Sequence, residues 1–434
     1  MGQSEAIVAE IKRSAEELLR WVKEHPNCTL RDLEERIQEW KNQAGVQLLE
    51  ASVAMQGTGR WAEGACVCGG QWVFQGYRER RVMTSQGVIR LKRAYFTCPR
   101  CGRGFSPLDQ EKGIEGGWSE RGLEQVLWIA QAVSSYREAE EALQRLAGQS
   151  VPRSTIHRLV ERYGGRLAEG RRKEAEGLWE RGVRGEEIPA PREGPKKEMG
   201  ISLDGVMVWV DGGWHEVKVG SCFEFGPGKD GEVEVRPIGY WAGYGEVEVF
   251  RRTMWGYAYH RGLGLEGKAV VIGDGASWID GFAEVYCPKG VRVVDWYHAV
   301  EHLWALGREA FGEEAAKSVE NVKQKLWEGR IEQVIRDCEE VLGRKSGWRE
   351  GVVRTAEYFR ERREQMDYPA FRKAGYPIGS GTVESACKGI SWRCKGRGQR
   401  WKAQGLVAIL ALRSAGMGGE AEWNRAWKEI GLAA

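Results

Sequence analysis

Apolar residues recur at helical spacing from residue 2 to about 55. In SEAIVAEIKRSAEELLRWVKEHP, residues Ile7, Ile11, Leu18, Leu19 and Trp21 gather toward one side of a helix. TLRDLEERIQEWKNQAGVQLLEASVAM then offers Thr29 as an N-cap ahead of a second amphipathic run. Acidic and basic residues three or four apart give both runs a solvated outer face. From 61 to 108 the period shortens. QWVFQGYRERRVMTS and GVIRLKRAYFTC set Val88, Arg90 and Lys92 against Ile89, Leu91 and Arg93, which predicts a small twisted sheet.

Helical spacing returns from 118 to about 180. There SSYREAEEALQRLAGQSVPRSTIHRLVERYG holds two helical runs separated by AGQSVPRS, and Pro152 and Ser154 mark the start of the second. This is the length and punctuation of a helix-turn-helix, whose recognition helix would carry Arg153, Ser154, Thr155, His157 and Arg158; an ordinary helical pair has the same pattern. Residues 170 to 198, rich in Arg, Lys, Glu, Gly and Pro, have the texture of a linker.

From 200 the pattern is α/β. MGISLDGVMVWV and WHEVKVGSCFEF are strands joined by the turn signal DGG, and GYGEVEVFRRTMW reads as a third strand followed by a short helical connection. KAVVIGDG is an apolar strand ending at Asp274, SWIDGFAEVYC a helix and VRVVDWYH a fifth strand. A charged helical region covers about 298 to 371. YPIGSGTVESACKGISWRCKGRGQRW then opens on a Gly/Ser break and places Glu384 on a helix, and WKAQGLVAILALRSAG supplies another. The chain is thus a multidomain α/β protein. It divides into a helical region (1–60), a zinc-ribbon-like module (61–110), a helix-turn-helix-like region (111–180), a linker (181–199), an α/β core (200–300), a helical stretch (301–372) and a closing helical segment (373–434).

Composition narrows the classes little. The 434 residues are 42% hydrophobic and 29% charged, as in folded water-soluble domains, and the net charge of +3 requires any nucleic-acid surface to be built locally. With no basic-then-apolar leader and no run of about 18 apolar residues, a cytoplasmic protein without a membrane partner is expected. Ten cysteines in a reducing compartment favour metal binding over disulfides. CVCGG and CPRCG bring together Cys66, Cys68, Cys98 and Cys101, soft ligands suited to a structural zinc ion, although one residue between Cys66 and Cys68 is short for a zinc knuckle.

Three carboxylates are candidates for chemistry. Asp204 lies within an apolar strand, where an unpaired acid is costly, and Asp274 ends another. Each precedes a glycine and can also be read as a turn former. Taken with Glu384, they have the makings of a two-metal centre for phosphodiester chemistry with Mg²⁺ or Mn²⁺. The strip after Glu384, with Arg393, Lys395, Arg397, Arg400 and Lys402 and no acid among them, would engage phosphates, and Trp392 and Trp401 could stack on unpaired bases or pack the helix.

LDGVMVWV, VIGDGASWI, DWYHAVEHLWALG and YPIGSGTVESACKGISWRCKGRGQRW, followed by ILALR, together resemble the DDE transposases of bacterial insertion sequences, most closely the ISKra-type group. CPRCG matches the cysteine-bearing region of that family, and the resemblance covers essentially the whole chain. It implies an RNase H-like mixed-sheet core interrupted by an all-helical insertion, with catalytic, Mg²⁺-binding acids at Asp204, Asp274 and Glu384. It also implies Asp295 and His298 in second-shell or DNA-positioning roles. The expected activity is binding of terminal inverted repeats, phosphodiester cleavage and strand transfer, with double-stranded DNA as partner. A nucleoid-associated homodimer or larger synaptic oligomer would bring two ends together. A zinc-containing DNA-binding regulator on a domesticated core is the alternative, and a nuclease without strand transfer differs only in product.

Overall fold

The computed structural model describes residues 3–59, 64–194, 196, 198–228, 232–263, 267–344 and 346–431. The chain packs as two compact units, residues 1–159 with 427–434 and residues 160–426.

The first unit opens with helices α1 (Gln3–Glu24) and α2 (Leu30–Met55). Thr29 and Asp32 form a reciprocal capping box at the start of α2, each side chain accepting from the other's backbone N–H. Strands β1 (Val73–Thr84) and β2 (Gly87–Thr97) pair as an antiparallel hairpin. Alternation along β2 sends Ile89 and Leu91 inward, where Val82 and, from α2, Val46, Leu49 and Val53 meet them. Arg93 follows the same parity into the interior, and its charge is met by Asp109 at 2.9 Å. Short elements complete this sheet: β3 (Gly104–Phe105), helix α3 (Pro107–Glu111), β4 (Ile114–Glu115) and β5 (Trp118–Ser119), in the order β3-β2-β1-β5-β4. Helices α4 (Glu120–Ala132) and α5 (Tyr136–Ala147) follow, capped by Ser119 and Ser135, and Gly148 at φ +63° ends α5.

Helix α6 (Arg153–Val183) takes in the first part of the stretch whose charged texture suggested a linker, and residues 186–194 beyond it form neither helix nor strand. Leu167, Ala168, Arg171, Ala175 and Leu178 recur at helical spacing and are buried, so up to Val183 the linker-like composition belongs to the outer face of a helix.

The second unit holds strands β6 (Glu198–Val210), β7 (Gly213–Pro227) and β8 (Val233–Gly243), helix α7 (Val247–Tyr259), β9 (Lys268–Gly273), helix α8 (Ser277–Tyr286) and β10 (Val291–Val294). The sheet order is β10-β9-β6-β7-β8. The β6-β7-β8 strands are antiparallel, while β9 and β10 run parallel to β6. The third strand expected at 243–255 is in fact α7. Its alternating valines suit a strand, but Phe250, Met254, Tyr257 and Ala258 are buried at helical spacing, and packing outweighs β propensity. The strand itself, β8, lies just before it.

Among the described residues, six α-helices and two short 3-10 turns separate β10 from the last part of the core; the α-helices are α9 (Trp296–Phe311), α10 (Ala315–Trp327), α11 (Ile331–Gly343), α12 (Glu350–Val353), α13 (Thr355–Glu361) and α14 (Tyr368–Lys373). Their core, with Leu303, Val319, Val334 and Phe359, is continuous with Val270, Ile272 and Val293 of the sheet. Helix α15 (Gly381–Cys394) then packs on β6 and β7, α16 (Ala403–Met417) on β8, and α17 (Glu420–Ile430) closes the chain. Helix α16 is largely apolar and mostly buried between Gly405 and Ala415, as suits a helix packed on several sides.

Glu422 on α17 is fully buried. It accepts from Arg171 at 2.9 Å, from Arg261, and from Arg425 at 3.2 Å. Burial pushes its carboxyl up, but the guanidiniums of Arg261, Arg171 and Arg425 outweigh that and hold it below the usual range. Glu422→Ala strands two buried guanidiniums without their anion, and we expect it to lower unfolding stability by about 3–5 kcal/mol, read from the urea midpoint.

Candidate functional site

In the first unit Cys66 and Cys98 are buried, Cys68 is half-buried and Cys101 is exposed. The Sγ atoms of Cys66 and Cys101, and of Cys68 and Cys98, lie 3.5 Å apart, and all four fall within 4.8 Å of one another. Two tight turns aim them. Cys66 N–H donates to the Gly70 carbonyl and Gly69 N–H to that of Cys66, while Gly102 N–H donates to that of Cys98. Gly69 and Gly102 take φ +79° and +73°, which glycine adopts without strain. Tetrahedral zinc–thiolate bonds of about 2.3 Å separate sulfurs by about 3.8 Å, so the four thiols fit a structural metal such as zinc. The short Cys66–Cys68 spacing is accommodated because Gly70 brings the chain back past the sulfurs, where a Cβ would run into Cys98 Sγ.

In the second unit the parallel register of β6 and β9 pairs Ser202 with Ile272, which sets Asp204 level with Asp274 just beyond the end of β9. Asp204 Oδ1 accepts from Gly205 N–H at 2.6 Å and Oδ2 from the Cys387 thiol at 3.3 Å. Burial raises the Asp204 carboxyl above its usual range; the Gly205 N–H and the Cys387 thiol oppose this, and the charge of Asp274 adds to it. Asp274 Oδ1 accepts from Ala276 N–H at 2.8 Å.

Glu384 lies in the first turn of α15, half-buried, with Lys388 at 3.7 Å. Thr382 Oγ1 and Ser221 Oγ, 2.6 Å apart, tie that turn to β7. The Cys387 contact ties the next turn to β6. Among the described residues only the cysteines bring three or more such ligand atoms within 4.8 Å, so the three carboxylates stand further apart than the thiols.

Asp295 is almost fully buried, and both its oxygens are engaged. Oδ1 accepts from His298 N–H at 2.7 Å, capping α9, and Oδ2 accepts from Ser380 N–H at 2.5 Å. Trp296 N–H donates to the Ile378 carbonyl beside it. Asp295 therefore clamps the segment entering α15. His298 is more than a third exposed and faces Glu301 at 3.7 Å.

Several participants were invisible in the sequence because their partners lie far along the chain. Cys387 is one. Tyr358 donates its hydroxyl to the Asp274 carbonyl at 3.0 Å, and Arg362 Nε donates to the Gly275 carbonyl at 2.8 Å. His302 stacks on Tyr358 with ring centroids 4.0 Å apart. Burial, with His298 and Arg362 nearby, lowers its imidazole to about 4, so the ring is neutral at pH 7. Helices α9 and α13, with the short turn after α13, thus wall the Asp274 loop.

The candidate DNA contacts separate by exposure. Arg153, Ser154 and Arg158 at the start of α6 are exposed, and Thr155 and His157 are half-buried, with His157 edge-on to Tyr136. In the strip after Glu384, Lys395, Arg397, Arg400 and Lys402 are exposed. Arg393 is not available to DNA: it is 1% exposed and lies over the Trp401 ring, because it falls on the α15 face already formed by Val383, Ala386 and Ile390. Trp401 is buried as well and donates Nε1–H to the Cys394 carbonyl, so it packs the helix, whereas Trp392 is half exposed.

A scan against protein-family models finds no match to this chain, and a search of curated proteins finds none either. No helix among the described residues is long and apolar enough to cross a membrane.

Metal analysis of protein purified without chelator should find about one zinc per chain, and Cys98→Ser should lose it. Zinc-free wild type that melts at the same temperature as the loaded protein would contradict a structural metal.

Proposed function

We propose that this chain is a DDE-type DNA transposase with an RNase H-like core interrupted by the helices α9–α14. The observation that carries this reading is the β6–β9 register, which sets Asp204 level with Asp274 while α15, bearing Glu384, packs over the same strand. Three antiparallel strands continued by two parallel ones, with a long helical excursion before the helix that carries Glu384, support the same reading.

Asp204, Asp274 and Glu384 would hold Mg²⁺ or Mn²⁺. The two aspartates fit because the partly buried Asp204 carboxylate beside Asp274 carries a like-charge cost that a divalent cation relieves. When bound, the cation supplies Lewis-acid activation of the attacking water or 3′-hydroxyl and stabilises the leaving oxygen. The chain's own groups position the acids. Tyr358 and Arg362 hold the loop that carries Asp274, Asp295 holds the entry to α15, and Cys387 orients Asp204.

Arg153, Ser154, Thr155, His157 and Arg158 would engage the terminal repeats, and Lys395, Arg397, Arg400 and Lys402 the backbone of DNA bound by the second unit. The cysteine cluster would brace the first unit with zinc. Two ends cut and joined in one event imply a homodimer or larger assembly acting on double-stranded DNA.

The test is cleavage and joining of the element's own ends with Mg²⁺. Asp204→Asn should lower the cleavage rate by about a hundred- to a thousandfold while end binding stays within a few fold. Cleavage that persists in this variant, or binding lost together with it, contradicts the assignment.

A further inference from the structure

Beyond the level of Asp204, β6 and β7 continue as a hairpin of about 20 Å whose register runs unbroken to Val210↔Gly213. Asp211 and Gly212 form the tip, both at positive φ (47° and 92°), as a two-residue turn between right-twisted strands requires. The strip after α15 zips onto the free edge of this hairpin. Trp401 pairs in parallel with Val210, its N–H donates to the Trp209 carbonyl at 3.2 Å, and Asp211 N–H donates back to the Trp401 carbonyl at 3.0 Å. Asp211 also accepts from Ala403 N–H at 3.2 Å and pairs with Lys402 at 3.3 Å.

That register decides which side chains share a face. Trp401 turns inward with Val210, so its neighbours Arg400 and Lys402 alternate to the outer face, the face opposite the one bearing Asp204. The cross-strand pair Trp209 and Trp214 stands on that outer face, edge to face at 5.6 Å. Trp214 is 56% exposed and its neighbour Met207 46% exposed, which is unusual for large apolar side chains on a strand. Lys395 Nζ lies 5.8 Å from the centre of the Trp214 ring. Nearby acids are already engaged, Asp211 with Lys402 and Glu216 with Lys218. Among the described residues Lys395, Arg397 and Arg400 form no ion pair.

We propose that this outer face of the β6–β7 hairpin is a binding surface for unpaired nucleotides, with a base stacked on Trp214 and its flanking phosphates on Lys395, Arg397 and Arg400. The combination selects the partner. An exposed indole offers every base an equivalent stacking face, cations that form no ion pair take the backbone, and base-paired DNA keeps its rings out of reach. A protein partner would find a cationic rim without an apolar floor of comparable size. The surface depends on the proposed function only for the nature of its partner and uses none of the carboxylate chemistry.

The experiment measures fluorescence anisotropy of a fluorescein-labelled oligonucleotide, as a single strand and as a duplex, with full-length zinc-loaded protein and no Mg²⁺. Trp214→Ala should weaken single-strand binding about five- to hundredfold and leave duplex binding unchanged, and Trp214→Phe, which keeps a stacking ring, should stay close to wild type. Lys395→Gln combined with Arg400→Gln should weaken both and flatten the salt dependence. Single-strand binding unchanged in Trp214→Ala, or an equal loss for single strand and duplex, overturns the proposal. Asp204→Asn should bind as wild type. If Trp214→Ala loses single-strand binding as expected while wild-type protein does not cleave DNA once Mg²⁺ is added, the stacking surface stands and the transposase assignment falls.

Discussion

Parallel pairing of β6 with β9 is the constraint on which the second unit turns. It places two carboxylates, Asp204 and Asp274, side by side at the end of the shorter strand, and two like charges partly out of water repel. Neighbouring groups accommodate that repulsion. The Gly205 N–H and the Cys387 thiol donate to Asp204, and Ala276 N–H donates to Asp274. The backbone of the Asp274 loop is gripped in turn by Tyr358 and Arg362. A sheet stabilised for its own sake would put valine at these positions. The retained cost is what makes the pair a candidate cation site.

The helical segment between β10 and α15 also shapes the core. Asp295 begins it with a cap and uses its second oxygen to hold Ser380, so the two ends of the excursion are fastened at one buried carboxylate. Tyr358 and Arg362 return from its far side to the end of β9. The position of Glu384 therefore depends on the excursion being folded, although more than a hundred residues separate it from Asp274. The buried Glu422–arginine cluster performs a comparable task at the opposite end of the sequence, joining α6, the end of α7 and α17.

Local signals were legible in the sequence where they are local in cause. The Thr29 cap, the Asp-Gly turn at 211–212 and the apolar strand ending at Asp274 need only their neighbours to form. The four cysteines were legible as a set because thiols in paired turns have few other uses. Strand β8 was missed and helix α7 was read as a strand because Val247 and Val249 carry a β pattern that burial of Phe250, Met254 and Tyr257 overrides. All five cations of the basic strip were read as phosphate contacts, yet helical periodicity alone puts Arg393 beside Ile390 and Val383 on the buried side of α15. Cys387, Tyr358 and Arg362 could not be found without the fold, since their partners lie 183, 84 and 87 residues away.

In the proposed reading, carboxylates from β6, the end of β9 and α15 together bind divalent cation. Its most direct test is electron paramagnetic resonance of Mn²⁺ titrated into zinc-loaded protein, comparing wild type with Asp204→Asn, Asp274→Asn and Glu384→Gln. Wild type should remove Mn²⁺ from the free-ion signal, and each substitution should weaken this by about tenfold or more. Equal binding by wild type and all three variants would contradict it.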